Sequence, residues 1–90
     1  MIRKHILVEG RVQGVGFRYS AALIAAKYRI TGYARNLSNG SVELEAQGLD
    51  KDVASFITEL KKGTSFAKVT ALYQDDISLI ENEKSFKALY

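Results

Sequence analysis

The string Gly10-Arg11-Val12-Gln13-Gly14-Val15-Gly16-Phe17-Arg18 places three glycines within seven residues and closes on an arginine. Such a segment can receive an oxyanion. Glycine permits backbone conformations that aim successive N–H groups at one point, and a helix opening there would add unpaired first-turn amides and about half a positive charge. Arg18 in that first turn would supply a planar fork that matches two phosphate oxygens and stays charged at any working pH, whereas lysine offers a point charge. The same glycines could equally serve a tight strand-to-helix turn, with Arg18 as a solvated first-turn residue. Spacing alone leaves both readings open. Two other glycine motifs fit worse. The dinucleotide pattern G-x-G-x-x-G would need glycine where Tyr19 stands, and the Gly-Lys-Ser/Thr of a triphosphate loop occurs nowhere in the chain.

Other chemistry is scarce. There is no cysteine and a single histidine, His5, which removes thiol nucleophiles and the usual zinc clusters. His5 falls on a strand away from the glycine segment and reads as a surface or half-buried histidine. Glu43 and Glu45 stand at i and i+2 on one face of a strand, where paired carboxylates are ordinary solvent-facing patterning. Asp75-Asp76 reads as part of an acidic, solvated loop with Glu81 and Glu83. Asn36, taken by itself, reads as a turn or edge-strand residue.

The elements that must position the glycine segment follow from periodicity. Ile2 to Val8 predicts a strand ending at Gly10, because Ile6, Leu7 and Val8 form a short apolar run before the glycines. Phe17, Ala21, Ile24, Ala25 and Tyr28 lie on one helical face, so a helix is expected to run from Phe17 to about Arg29. Ile30 to Leu37 reads as extended. Ser38-Asn39-Gly40-Ser41 offers an Asn-Gly pair for a type I′ turn, and Val42, Leu44 and Ala46 then alternate with Glu43, Glu45 and Gln47 in a strand with one wet face. Asp50 is placed to cap a second helix with Val53, Phe56, Ile57 and Leu60 inward, Lys61 and Lys62 in the last turn and Gly63 just beyond it. Ala67 to Tyr73 predicts a further strand, and Phe86, Ala88 and Tyr90 alternate with Lys87 and Leu89 as a short last strand would. The order βαββαβ, with that short fifth strand, predicts an α+β ferredoxin-like sandwich with two helices on one face of an antiparallel sheet.

Ninety residues allow one domain, 1–90, since two cores would each fall near the lower size limit for independent folding. Hydrophobic residues make up 47% and charged residues 26%, and no apolar run approaches the roughly 20 residues that cross a bilayer, which argues against disorder and membrane spanning. No export pattern is evident, so a cytoplasmic location is expected. The net charge of +3 is unevenly spread. Residues 1–40 hold Arg3, Lys4, Arg11, Arg18, Lys27, Arg29 and Arg35 against one acid, Glu9, and the remainder is acidic. That asymmetry suggests that the first half meets an anion.

The nine-residue string ending at Arg18 resembles the first signature of the acylphosphatases. Gly32-Tyr33-Ala34-Arg35-Asn36 followed by Asn39-Gly40-Ser41-Val42-Glu43 resembles the second, at the expected interval, and length and element order agree along the whole chain. Tyr33 and Ala34 stand where Trp and Val are common, and Lys62-Gly63-Thr64-Ser65 lacks a frequent proline; these departures touch packing and a loop. The resemblance implies hydrolysis of the carboxyl–phosphate bond of small acyl phosphates to a carboxylate and inorganic phosphate. It implies Arg18 as the phosphate-binding arginine, Asn36 as the residue that orients the attacking water, and Gln13, Gly14, Val15, Gly16, Phe17 and Arg18 as the phosphate-binding segment. No metal or cofactor and no nucleic-acid or membrane partner is expected, and a monomer is the expectation. Two rival readings share the topology. An RNA-binding module would need the aromatics of its glycine string to stack bases from a strand, whereas Phe17 and Tyr19 fall at a helix start and the outward Glu43, Glu45 and Gln47 repel phosphate. An anion-sensing domain would use the same glycine segment without hydrolysis, and Asn36 discriminates between the two.

Overall fold

A computed structural model describes residues 1–90. In chain order the elements are β1 (Ile2–Arg11), α1 (Phe17–Lys27), β2 (Thr31–Asn36), β3 (Val42–Gly48), α2 (Asp50–Lys62), β4 (Lys68–Ile77) and β5 (Phe86–Ala88). The five strands form one sheet in the order β4-β1-β3-β2-β5. The βαββαβ sandwich read from the sequence is therefore present, but the sheet is mixed, because β5 pairs parallel to β2. The chain leaves β4 at the sheet end where β2 begins, so a short crossing to the opposite edge delivers β5 running alongside β2. Among the helices, none is long and apolar enough to cross a membrane.

Burial follows the two periodicities. Ile6, Val8, Ala34, Val42, Leu44 and Ala46 line the inner face of the sheet, and Phe17, Ala21 and Ala25 from α1 pack there with Val53, Phe56, Ile57 and Leu60 from α2. Ile24 and Tyr28, also expected inward, lie at the margin and are only partly buried. Each large side chain fully buried here contributes about 1.5–3 kcal/mol before conformational entropy is charged against it.

Element ends depart from expectation where local chemistry differs from the usual signals. α1 ends in a Schellman arrangement with the Ile30 N–H on the Ala25 carbonyl at 2.8 Å, and its left-handed residue is Arg29 (φ 57°) rather than a glycine. Leu49, not Asp50, is the N-cap of α2 and makes no side-chain cap; Asp50 and Asp52 lie inside the first turn, where their charge still complements the helix dipole. The β2–β3 connection is not type I′. Gly40 N–H bonds to the Leu37 carbonyl across Ser38-Asn39, and Gly40 alone has positive φ (95°), as in a three-residue loop with a glycine bulge. Asn39 instead turns its side-chain oxygen to the Ser41 N–H at 3.0 Å. β1 continues past Gly10 to Arg11 through a bulge at Glu9/Gly10.

Of the acidic residues expected in solvent, Asp75, Asp76 and Glu81 are exposed, whereas Glu43, Glu45 and Glu83 are held in side-chain contacts. Asp75 and Asp76 belong to β4, opposite His5 and Lys4, and the Lys4 ammonium sits 2.5 Å from Asp76. The outer face of the sheet is not wet around Arg3, which is 1% exposed. Its guanidinium donates to Glu45 at 2.8 Å, to both oxygens of Glu83 at 2.8 and 3.2 Å, and to Gln47 at 3.1 Å. Gln47 in turn exchanges hydrogen bonds with the backbone of Ile80, which fixes the crossing segment over Arg3. His5 and Arg35 both reach Glu43, at 2.9 and 2.6 Å, and the Tyr33 hydroxyl donates to Glu45 at 2.9 Å. No three of the chain's His, Asp and Glu side chains converge as a metal site.

This layer makes stability depend on pH. Burial alone would push the Glu83 carboxyl up, but hydrogen bonding with Arg3 and Thr31 and the Arg3 charge outweigh it and hold it below the usual carboxylate range. The His5 hydrogen bond, with Arg35, similarly lowers Glu43 against the opposing effect of burial. A carboxylate whose folded pKa is depressed stabilises the fold fully above its unfolded pKa, about 4.3 for Glu, and loses that contribution as pH falls through the folded value. Urea midpoints are expected to be flat from pH 7 to 5 and to fall below about pH 4.3, with a shallower acid limb in Glu83→Gln. Equal acid limbs in the two proteins would show that Glu83 does not contribute to the dependence.

Candidate active site

β1 and α1 are joined by residues 12–16, and the sequence reason for that path lies in two glycines. Gly14 (φ 73°) and Gly16 (φ 75°) are both left-handed, and a Cβ on either would meet nothing within 4 Å. Conformation, not crowding, selects glycine here. Gly16 is the N-cap of α1, with no side-chain cap and no acid in the first turn. Outside the regular elements, no backbone hydrogen bond uses an amide between Gln13 and Tyr19 as donor; the first is Ser20 N–H to the Gly16 carbonyl at 3.0 Å. The first-turn amides are thus free to face an anion, with the helix dipole behind them.

Arg18 and Asn36 open onto the same cavity of about 200 Å³, with Gly14, Gly16, Tyr19 and Tyr90 also in its wall. Asn36 ends β2 on the face that carries buried Ala34, just beyond the core and beside the start of α1. Its neighbour Arg35 points to the opposite face and is bound to Glu43. The Asn36 amide makes no hydrogen bond within the protein and is solvent-exposed. No acidic side chain lines the cavity.

The remaining residues of the candidate segment divide by role. Phe17 is buried, Val15 packs against the core, and their backbone amides rather than their side chains are available. Gln13 turns away from the cavity: its side-chain nitrogen donates to the carbonyls of Leu37 and Ser41, both at 2.7 Å, and so ties the loop to the β2–β3 hairpin that carries Asn36. It positions the two halves of the site relative to each other.

The C-terminal residues enter the site without any sequence reading having placed them there. One Arg18 Nη donates to the Leu89 carbonyl, and the guanidinium carbon lies 4.9 Å from the centre of the Tyr90 ring. Leu89 is itself held by its N–H on the Ala34 carbonyl at 2.8 Å, next to the strand end that bears Asn36. Anchored at one nitrogen and across one face, the guanidinium keeps its other donors for a ligand. An exposed cation–π contact contributes about 0.5–1 kcal/mol. Tyr90→Ala is therefore expected to lower kcat/KM about two- to fivefold, mainly through KM; steady-state kinetics would show no change if the ring does not hold Arg18.

The acylphosphatase family model matches residues 4–88. The acylphosphatase of Clostridium beijerinckii is 49% identical over 90 residues, covering 100% of both chains. The acylphosphatase of Bacillus subtilis has a crystal structure that superimposes with a TM-score of 0.95 at 37% identity, covering 100% of both chains. An acylphosphatase structure from Coxiella burnetii matches with a TM-score of 0.90 at 33% identity, covering 98% of this chain and 92% of that one.

Proposed function

The chain belongs to the acylphosphatase family, hydrolases that act on acyl phosphates, and we propose that its phosphate-binding groups are Arg18 and the Gly14–Arg18 amides and that Asn36 orients the attacking water. The observation that carries this reading is the shared cavity, in which one fixed cation, a row of unpaired amides and one free carboxamide meet.

An acyl phosphate has a carboxylate leaving group, so its hydrolysis needs little general-acid help and chiefly needs charge neutralisation and a placed nucleophile. Water attacks phosphorus in line; a new P–O bond forms as the bond to the carboxylate oxygen breaks, and that oxygen departs with the bonding pair. Charge spreads over the equatorial phosphoryl oxygens in the transition state. Fixed amides and the two-pronged Arg18 bind that distribution more tightly than the ground state. Asn36 is no base at neutral pH; its amide oxygen accepts from the water and its N–H₂ can bond an equatorial oxygen. The water's proton passes to a phosphate oxygen of the substrate itself, leaving inorganic phosphate and the free carboxylate. Every step is accounted for by groups in the cavity, with no metal in the scheme.

The deciding experiment follows the ultraviolet absorbance of a simple aromatic acyl phosphate in excess chelator. Turnover that persists with chelator supports the scheme. Turnover that disappears with chelator and returns with a divalent cation would replace it with a metal-assisted one.

A further inference from the structure

A second group of cations lies at the same end of β1 and belongs to no ion pair. Arg11 from β1, Lys61 and Lys62 from α2, and Lys68 from β4 surround a depression of about 430 Å³, with the hydroxyls of Thr64 and Ser65 in its wall and no acidic residue. None of these four cations is among the chain's salt bridges, whereas Arg3, Lys4, Lys27 and Arg35 each have a carboxylate. Lys61 and Lys62 would be expected at a helix C-terminus on electrostatic grounds alone. Arg11 and Lys68 have no such reason. They stand directly opposite each other in the β1–β4 ladder, where like charges destabilise pairing.

The backbone holds these cations together. The bulge at Glu9/Gly10 shifts the register just before Arg11, and a Cβ at Gly10 would lie 2.2 Å from the Lys68 carbonyl oxygen, so the two strands approach more closely there than any other residue permits. Between α2 and β4, Thr64 N–H bonds to the Ala67 carbonyl at 3.0 Å, while its hydroxyl accepts from the N–H groups of Phe66 and Ala67 at 3.1 and 2.9 Å. Four charges are thus gathered by a built connection and by a strand register that a bound anion would relieve. No residue lines both this depression and the cavity around Arg18.

We propose that the depression between the C-terminal end of α2 and the Arg11–Lys68 strand pair is a second anion site, suited to a ligand that carries several linked phosphoryl groups. The four cations come from three elements around the depression, and a chain of linked phosphates offers enough anionic oxygens to meet strand and helix cations together, in contacts that weaken as salt is raised. The exposed ring of Phe66 on the rim offers a stacking surface if the chain carries a nucleoside.

Titration calorimetry of the full chain with inorganic tripolyphosphate tests this. Binding at this depression is expected to be equally tight in wild type and Arg18→Ala, and about a hundredfold weaker in the double variant Arg11→Gln/Lys68→Gln, at about tenfold per charged contact. The double variant should hydrolyse an acyl phosphate at the wild-type rate. Binding that vanishes in Arg18→Ala and survives in the double variant would mean that tripolyphosphate enters only the Arg18 cavity, and would overturn the proposal, as would absence of binding to wild type. Adenosine triphosphate identifies the source. Tighter binding than tripolyphosphate, lost in Phe66→Ala, assigns a nucleotide; equal binding assigns the phosphate chain itself.

Discussion

Replacing Arg18 by alanine is expected to slow acyl phosphate hydrolysis about 10²- to 10³-fold while leaving the protein folded. The kinetic expectation rests on geometry. Arg18 is the only cationic side chain in the cavity wall, and apart from the bond to Leu89 its donors have no partner within the protein. The stability expectation rests on which residues Arg18 engages: its hydrogen bond goes to the Leu89 carbonyl and its cation–π contact to the Tyr90 ring, and neither residue belongs to the buried core. Arg18→Lys separates charge from shape. Lysine restores a cation but not the planar pair of donors, so its rate is expected to stay at least about tenfold below wild type. A lysine variant at full rate would show that point charge suffices and that the fork is incidental. Wild-type turnover in a folded Arg18→Ala protein would transfer the whole task of holding phosphate to the loop amides. The contact with the Tyr90 ring adds a further check, since Arg18→Ala and Tyr90→Ala should not be additive if the ring acts only by holding the guanidinium.

How much of this was legible in the sequence depends on whether the cause was local. The glycine loop was legible because positive φ at Gly14 and Gly16 is a property of those residues themselves, and the helix faces were legible because burial repeats every three to four residues. Three features were not. α1 ends within two residues of the expected Arg29, but nothing local marks Arg29 as the left-handed residue beyond it, since that conformation usually advertises itself as glycine. Glu43 and Glu45 look like solvent-facing residues in the alternation of β3, and only the strand order brings Arg3, His5 and Tyr33 onto them. Asp75 and Asp76 read as a loop because Asp is rare in strands, yet they continue β4, where Lys4 across the ladder pairs with Asp76. The candidate site shows the same division. Arg18 and Asn36 could be named from motif resemblance, whereas Leu89 and Tyr90 reach Arg18 across 71 residues of chain because β5 lies parallel beside β2. No local pattern encodes that meeting; it follows from where the crossing segment, pinned by Arg3, Gln47 and Glu83, sets the chain down.

Asn36→Ala is expected to have a different signature from Arg18→Ala, and the difference tests the division of labour between them. If Arg18 and the amides hold phosphate while Asn36 holds water, then removing the carboxamide should lower kcat about 10²- to 10³-fold with little change in KM or in inhibition by inorganic phosphate. The fold should be indifferent, because Asn36 is exposed at the end of β2 and its side chain makes no internal hydrogen bond. Asn36→Asp sharpens the point. An aspartate keeps the shape and an acceptor for the water, but it places the first negative side chain in a cavity that has none, against an anionic substrate. Its expected result is therefore weaker phosphate inhibition together with slow turnover, where the alanine variant shows slow turnover alone. If alanine instead raised KM and left kcat intact, Asn36 would be a binding group for the ground state, and the water would have to be ordered by the loop amides or by the substrate. A single cavity with one cation, free amides and one carboxamide can bind an anion in several ways; only the kcat-against-KM split shows whether the carboxamide is spent on the substrate or on the nucleophile.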